Sequence, residues 1–284
     1  MTEILKKRDI WLLVGHGSRE PEGYEAFLSL IAELKARNPS KQIDLAFIRE
    51  AEPELNRVLD GYGGSAPETV WILPLLLFGA VHSKRDIPEA IREARKRHPQ
   101  VDFRYGTPLG IHPGLLEILM ERCRDASRGS KIPVEETALL VVGGGSSDPD
   151  ANSDLYKVAR LLWEQVRPGW VEASFAGVTQ PGLPEGIRRC VQLGARQIIA
   201  IPYFIFSGAL INRIERIASD CRDNYPGVEI RVARTLGRDP LLLELIEERF
   251  NEVMKGPVVM NCDLCKFQFP DLSSGSGRRS SDPR

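Results

Sequence analysis

Leu13-Val14-Gly15-His16-Gly17-Ser18-Arg19-Glu20-Pro21 returns 128 positions later as Val141-Val142-Gly143-Gly144-Gly145-Ser146-Ser147-Asp148-Pro149. At the same offset Pro53 and Leu55 meet Pro181 and Leu183, Pro74 meets Pro202, and Ile87 meets Glu215 near the end of the matched block. Leu109-Gly110-Ile111-His112-Pro113 then matches Leu236-Gly237-Arg238-Asp239-Pro240 with one residue dropped. The chain therefore reads as two copies of one unit of about 120 residues, an ordinary size for a domain. The histidines break the symmetry, because His16 and His82 fall opposite Gly144 and Leu210. Chemistry is expected in the first copy, and holding or shaping a ligand in the second.

Each copy alternates apolar strand runs with helical spacing. Ile10–Val14, Gln42–Ile48, Val70–Leu77 and Val101–Tyr105 read as strands of the first copy. Ala138–Val142, Val171–Ala176, Ile198–Tyr203 and Ile230–Ala233 are their counterparts. Between them lie helical stretches such as Pro21–Lys35, Ile87–Arg97, His112–Arg124, Ser153–Val166 and Ala209–Asn224. The continuous apolar run Val70–Leu77 suits a strand buried on both faces of a parallel sheet. This order predicts an α/β fold of two tandem βαβ lobes, each a parallel sheet flanked by helices. The lobes are placed at 8–127 and 137–255, and 256–284 forms a tail whose Ser273–Arg284 end has a disordered composition. Ligands of open α/β sheets bind beyond the carboxyl ends of the strands, so an inter-lobe cleft is the expected site.

Composition narrows the function. The 284 residues are 42% hydrophobic and 27% charged, with a formal net charge of -1. No basic field argues for nucleic acid, no apolar run has the length of a spanning helix, and the N-terminus lacks a secretory apolar core. A cytoplasmic enzyme or binding protein is expected. Cys123, Cys190 and Cys221 sit at apolar helical positions and read as small hydrophobes. Cys262 and Cys265, in Met260-Asn261-Cys262-Asp263-Leu264-Cys265, form a lone C-x-x-C that suits a soft metal or an iron–sulfur cluster only if a second chain adds ligands.

His16 stands between two glycines after a strand and His82 follows another strand of the same lobe, so both imidazoles reach the ligand side of the sheet. His112 precedes Pro113 as Asp239 precedes Pro240, which a capping role explains. His98 ends a charged helix and reads as solvated. Glu52, before Pro53, is a candidate metal ligand or proton acceptor, with Glu50 as a neighbouring alternative and helix capping as the competing reading. The loops carrying Gly17, Ser18 and Arg19, and Gly144, Gly145 and Ser146, join strands to helices and offer backbone N–H groups to anions. Ser83, Lys84, Arg85, Arg213 and Arg216 stand near the expected rim, where an acidic ligand would meet them.

Leu12–Arg19 (LLVGHGSR), Ala51–Leu55 (AEPEL) and Leu73–Pro88 (LPLLLFGAVHSKRDIP) together resemble the class II chelatases that insert a metal into sirohydrochlorin. The long, two-lobed form associated with cobalt insertion for cobalamin is the nearest pattern, and the likeness runs from about Ile10 to Cys265. The resemblance implies that His16 and His82 bind the metal and handle protons, with Co²⁺ as the metal substrate; the acidic position of many relatives falls on Arg49 here, so Glu52, retained before Pro53, is taken as the acidic group. Fe²⁺ or Ni²⁺ suits the same ligand types, so sirohaem synthesis stands beside cobalamin synthesis. It also implies an anionic tetrapyrrole as partner, and a cluster at Cys262 and Cys265 that would join two chains in a homodimer. A non-catalytic two-lobed metal or tetrapyrrole carrier is the alternative that needs no paired imidazoles.

Overall fold

A computed structural model describes residues 9–65 and 67–256. The Cys262 and Cys265 motif and the Ser273–Arg284 tail lie outside the described residues. The first lobe runs β1 (Ile10–Gly15), α1 (Pro21–Arg37), β2 (Gln42–Phe47), α2 (Leu55–Ser65), β3 (Thr69–Pro74), α3 (Ile87–Arg97), β4 (Asp102–Tyr105) and α4 (Pro113–Ser127). The second runs β5 (Thr137–Gly143), α5 (Pro149–Val166), β6 (Trp170–Phe175), α6 (Leu183–Gln192), β7 (Gln197–Pro202), α7 (Ala209–Asn224), β8 (Glu229–Val232) and α8 (Pro240–Lys255). Strand order is β2-β1-β3-β4 in one sheet and β6-β5-β7-β8 in the other, and every pairing is parallel. The central strands β1, β5 and β7 are buried along their whole length, as strands covered on both faces must be.

The last helix of each lobe crosses to the other. Helix α8 packs on β3 and stacks Phe250 flat on Trp11, with ring centroids 4.3 Å apart and planes 9° from parallel. Helix α4 packs on β7, and its buried Arg122 donates to the Thr235 and Leu236 carbonyls and to Asp239. The inner faces of both sheets, with α1, α4, α5 and α8, consequently share one apolar core. Each outer face has its own core, under α2 and α3 in the first lobe and under α6 and α7 in the second. The lobes, each continuous in sequence, are thus interlocked in space through α4 and α8.

Local chemistry explains the element ends. His112 and Asp239 both cap helices, their side chains accepting from Gly114 N and Leu241 N at 3.1 Å. His98, expected in solvent, is instead largely buried, with Nε2 3.5 Å from Asp60. Strand β3 stops at Pro74, three residues before its apolar run ends, and Leu75, Leu76 and Leu77 line the inter-lobe cleft. Cys123, Cys190 and Cys221 are free and buried, and burial pushes the first two thiols up to about 12. Such thiols stay protonated at neutral pH. Among the described residues no helix is long and apolar enough to cross a membrane.

Candidate functional site

The carboxyl ends of both sheets face a cleft of about 630 Å³. One wall carries His16, Gly17, Ser18, Arg19, Glu50 and His82, and the opposite wall carries Gly144, Gly145 and Ser146. Strand β1 delivers His16 because Gly15 leaves room for the Phe27 ring and Gly17 lets the chain turn sharply there. Gly17 has φ +97°, and a Cβ on it would overlap the Arg49 carbonyl oxygen, so only glycine fits. Two backbone bonds, Ile48 N to Gly15 O and Arg49 N to His16 O, tie this turn to the loop after β2.

The two imidazoles meet edge to face, their ring centroids 4.9 Å apart and their planes at 73°. His82 opens a single π-helical turn, His82–Asp86, that runs straight into α3. Its Nδ1 lies 2.6 Å from Oδ2 of Asp86, and the Nδ1 of His16 lies 3.2 Å from the Gly17 carbonyl oxygen. A carbonyl and an ionised carboxylate only accept, so these contacts are hydrogen bonds when Nδ1 carries the proton, which leaves Nε2 of each neutral ring with its lone pair. Burial raises the Asp86 carboxyl, but hydrogen bonds from His82 and Arg85 outweigh it and hold the group below the usual carboxylate range. Among the described residues no third His, Cys, Asp or Glu joins the pair in a set able to hold a metal.

The acidic candidates separate. Glu52 is 72% exposed, does not line the cleft, and accepts from Glu54 N at 3.2 Å, so it caps the approach to α2. Glu50 lines the cleft, faces Arg19 at 3.4 Å, and has a left-handed backbone with φ 59°. Non-glycine residues adopt that conformation at a cost of roughly 1–3 kcal/mol, and such residues concentrate where geometry matters to function. Of the two carboxylates, Glu50 and not Glu52 lines the cleft.

Three other expected ligand contacts are absent from the cleft wall. Ser83 is buried and exchanges hydrogen bonds with the Ala80 backbone. Lys84 spans the lobes, its Nζ 2.8 Å from both Asp148 and Asp150. Burial opposes its charge, yet the paired carboxylates raise its pKa, so it is a clamp and not a free anchor for anions. Arg213 is exposed on α7 and does not line the cleft. Ser146 does line it, but its backbone N–H is already taken by Asn152 Oδ1 and Thr179 Oγ1. Ser18 Oγ likewise accepts from Glu20 N. The start of α5 is thus partly satisfied from within, with Asp148 Oδ1 also accepting from Asp150 N, whereas α1 has no side-chain cap at its N-terminus.

The far wall is aromatic. Tyr203, Phe204, Phe206 and Leu210 line it, with Phe78 stacked 5.2 Å from Tyr203. A signal for it was present in the repeat, where Tyr203-Phe204-Ile205-Phe206 stands opposite Leu75-Leu76-Leu77-Phe78. The site therefore joins two lone-pair nitrogens and a carboxylate on one side to flat apolar surface on the other. That arrangement suits a metal ion brought against a planar organic ring.

Known proteins share this architecture. The CbiX family model matches residues 11–126 and again 138–253. A sirohydrochlorin cobaltochelatase from Priestia megaterium is 40% identical over 258 residues, covering 90% of this chain and 84% of its own length. A sirohydrochlorin ferrochelatase of the same organism is 30% identical over 244 residues, covering 83% and 91%. SirB from Bacillus subtilis with Fe3+ superposes with a TM-score of 0.73 at 27% identity, over 87% of this chain and 95% of that one. One model matching twice in tandem is the mark of a duplicated member, and the chain belongs to the CbiX family.

Proposed function

We propose that this protein inserts a divalent metal, Co²⁺ in the first place, into sirohydrochlorin. The observation that carries the reading is the facing His16–His82 pair across a cleft from an aromatic wall. Two imidazoles leave the remaining positions of the ion to water and to the incoming ring nitrogens, as suits an ion that is handed over and not kept. The aromatic wall of the second lobe holds the macrocycle by its face, and the imidazole edges present the ion to its centre. As the metal enters, the ring loses its pyrrole N–H protons. Glu50 and the imidazoles released from the metal are the acceptors within reach. The 40% identity to a cobaltochelatase against 30% to a ferrochelatase supports cobalt over iron.

The test follows the absorbance of metal-free sirohydrochlorin after adding Co²⁺ and protein, with Fe²⁺ in a parallel anaerobic assay. His16→Ala and His82→Ala are each expected to lower the rate about 100-fold or more, the scale of a lost catalytic imidazole. A double variant as fast as the wild type overturns the proposal. Tight binding of ring and ion without turnover by the wild type would instead favour a carrier.

A further inference from the structure

The repeat changes register inside the turn that carries His82. Ser83 and Ile211 are both buried and stand 128 positions apart. From there on the offset is 127. Ile87, Ile91 and Ala94 are the buried residues of α3 that answer to Ile214, Ala218 and Cys221 of α7. The closing residues His98 and Tyr225 share φ -130° and ψ 64° at that same offset. Ile87 thus corresponds to the buried Ile214, and not to the exposed Glu215 that a constant offset selects. Lys84, Arg85 and Asp86 occupy the space that Asn212 and Arg213 occupy in the second lobe.

One added residue in a helix has to be absorbed by a wider turn. The first lobe does so with the π turn, in which Ile87 N–H reaches back to the His82 carbonyl. The second lobe runs through the matching stretch as ordinary α-helix. Turns of this kind are rare and gather at functional sites. Here the turn sets a carboxylate under the imidazole, with Oδ2 of Asp86 at 2.6 Å from Nδ1 of His82. The carboxylate is held in turn by Arg85 Nε at 2.9 Å and faces Arg49, from the β2 loop, at 3.7 Å. It is 18% exposed, so its orientation is set by protein neighbours.

Resting on the chelatase reading above, we propose that Asp86 is a positioning residue that holds His82 as the Nδ1–H tautomer with its ring edge-on to His16. The one-residue insertion in the first lobe is the sequence change that builds this contact. An imidazole that gives a metal its Nε2 lone pair ordinarily donates its other nitrogen to an outer carboxylate or carbonyl, and losing that partner typically costs about 10–100-fold in activity or metal affinity.

The experiment combines imidazole ¹⁵N NMR of the metal-free full chain with chelation kinetics, for wild type, Asp86→Ala and Asp86→Asn. The chain has four histidines, and His82→Ala assigns the signal in question. Wild-type His82 is expected to carry its proton on Nδ1, and Asp86→Ala to shift it towards Nε2. Its kcat should fall about 10–100-fold while KM for sirohydrochlorin stays within about twofold. Asp86→Asn keeps the shape without the charge and decides the question if the alanine variant does not fold. An unchanged His82 tautomer in the folded variants, or a kcat within about twofold of wild type, overturns the proposal. If the wild type fails to metallate sirohydrochlorin, the chelatase reading falls alone, because the tautomer measurement needs no turnover.

Discussion

At the residue scale, two carboxylates separated by one alanine have different surroundings. Glu50 and Glu52 would share a face if β2 continued past Phe47. The strand ends there, and the left-handed turn at Glu50 cancels the parity argument. Glu50→Gln is expected to lower the chelation rate about 100-fold, the lower end of what a positioned proton acceptor supplies. Glu52→Gln should leave that rate within about twofold and cost at most about 1 kcal/mol of stability, as a lost exposed cap does. Parallel rate assays and urea melts of the two variants check this, and equal rate losses would refute the assignment. The histidines were legible in sequence because each follows a strand on the ligand side of the sheet, opposite a residue that cannot do its chemistry. Their separation was not, since it depends on how two loops from different strands are turned.

At the element scale, the π turn is the part that periodicity could not announce. Hydrophobic spacing shows a helix from Ile87 to Arg97, but a dropped residue between repeats can lie anywhere in the intervening stretch. Burial of Ser83 and Ile87 against Ile211 and Ile214 puts it among Lys84, Arg85 and Asp86. Deleting Arg85 is expected to restore the α-helical register of α7, with circular dichroism and melting close to wild type. Chelation should drop at least 100-fold, since both His82 and the carboxylate beneath it change direction. A deletion variant that keeps its rate would show that the turn is incidental to catalysis. The aromatic run Tyr203–Phe206 is visible in the sequence too, but only its first ring reads as the end of a strand and nothing there gives the run a role. Only β7 ending at Pro202 shows that these rings belong to the cleft.

At the scale of the whole molecule, exchanged helices make the halves one cooperative body. Phe250 of α8 covers Trp11 of β1, and Arg122 of α4 is satisfied by carbonyls of the second lobe. Lys84 adds a polar clamp across the cleft, from the His82 turn to the start of α5. Phe250→Ala removes a fully buried ring and should cost about 3–5 kcal/mol. Urea unfolding followed by tryptophan fluorescence, with indoles in both lobes, should remain a single transition that moves as a whole. Two separated transitions would contradict the shared core.

The sequence by itself determined the duplicated βαβ order, the parallel sheets, the capping pair His112 and Asp239, and the lobe that carries the imidazoles. These follow from local periodicity, turn chemistry and comparison of one copy with the other. The tertiary structure alone decided that α4 and α8 change partners, that Lys84 and Ser83 are consumed by the protein, and that Glu50 faces the ligand space in place of Glu52. Those outcomes depend on which donors and apolar faces meet across distant parts of the chain. No spacing within one copy encodes such encounters.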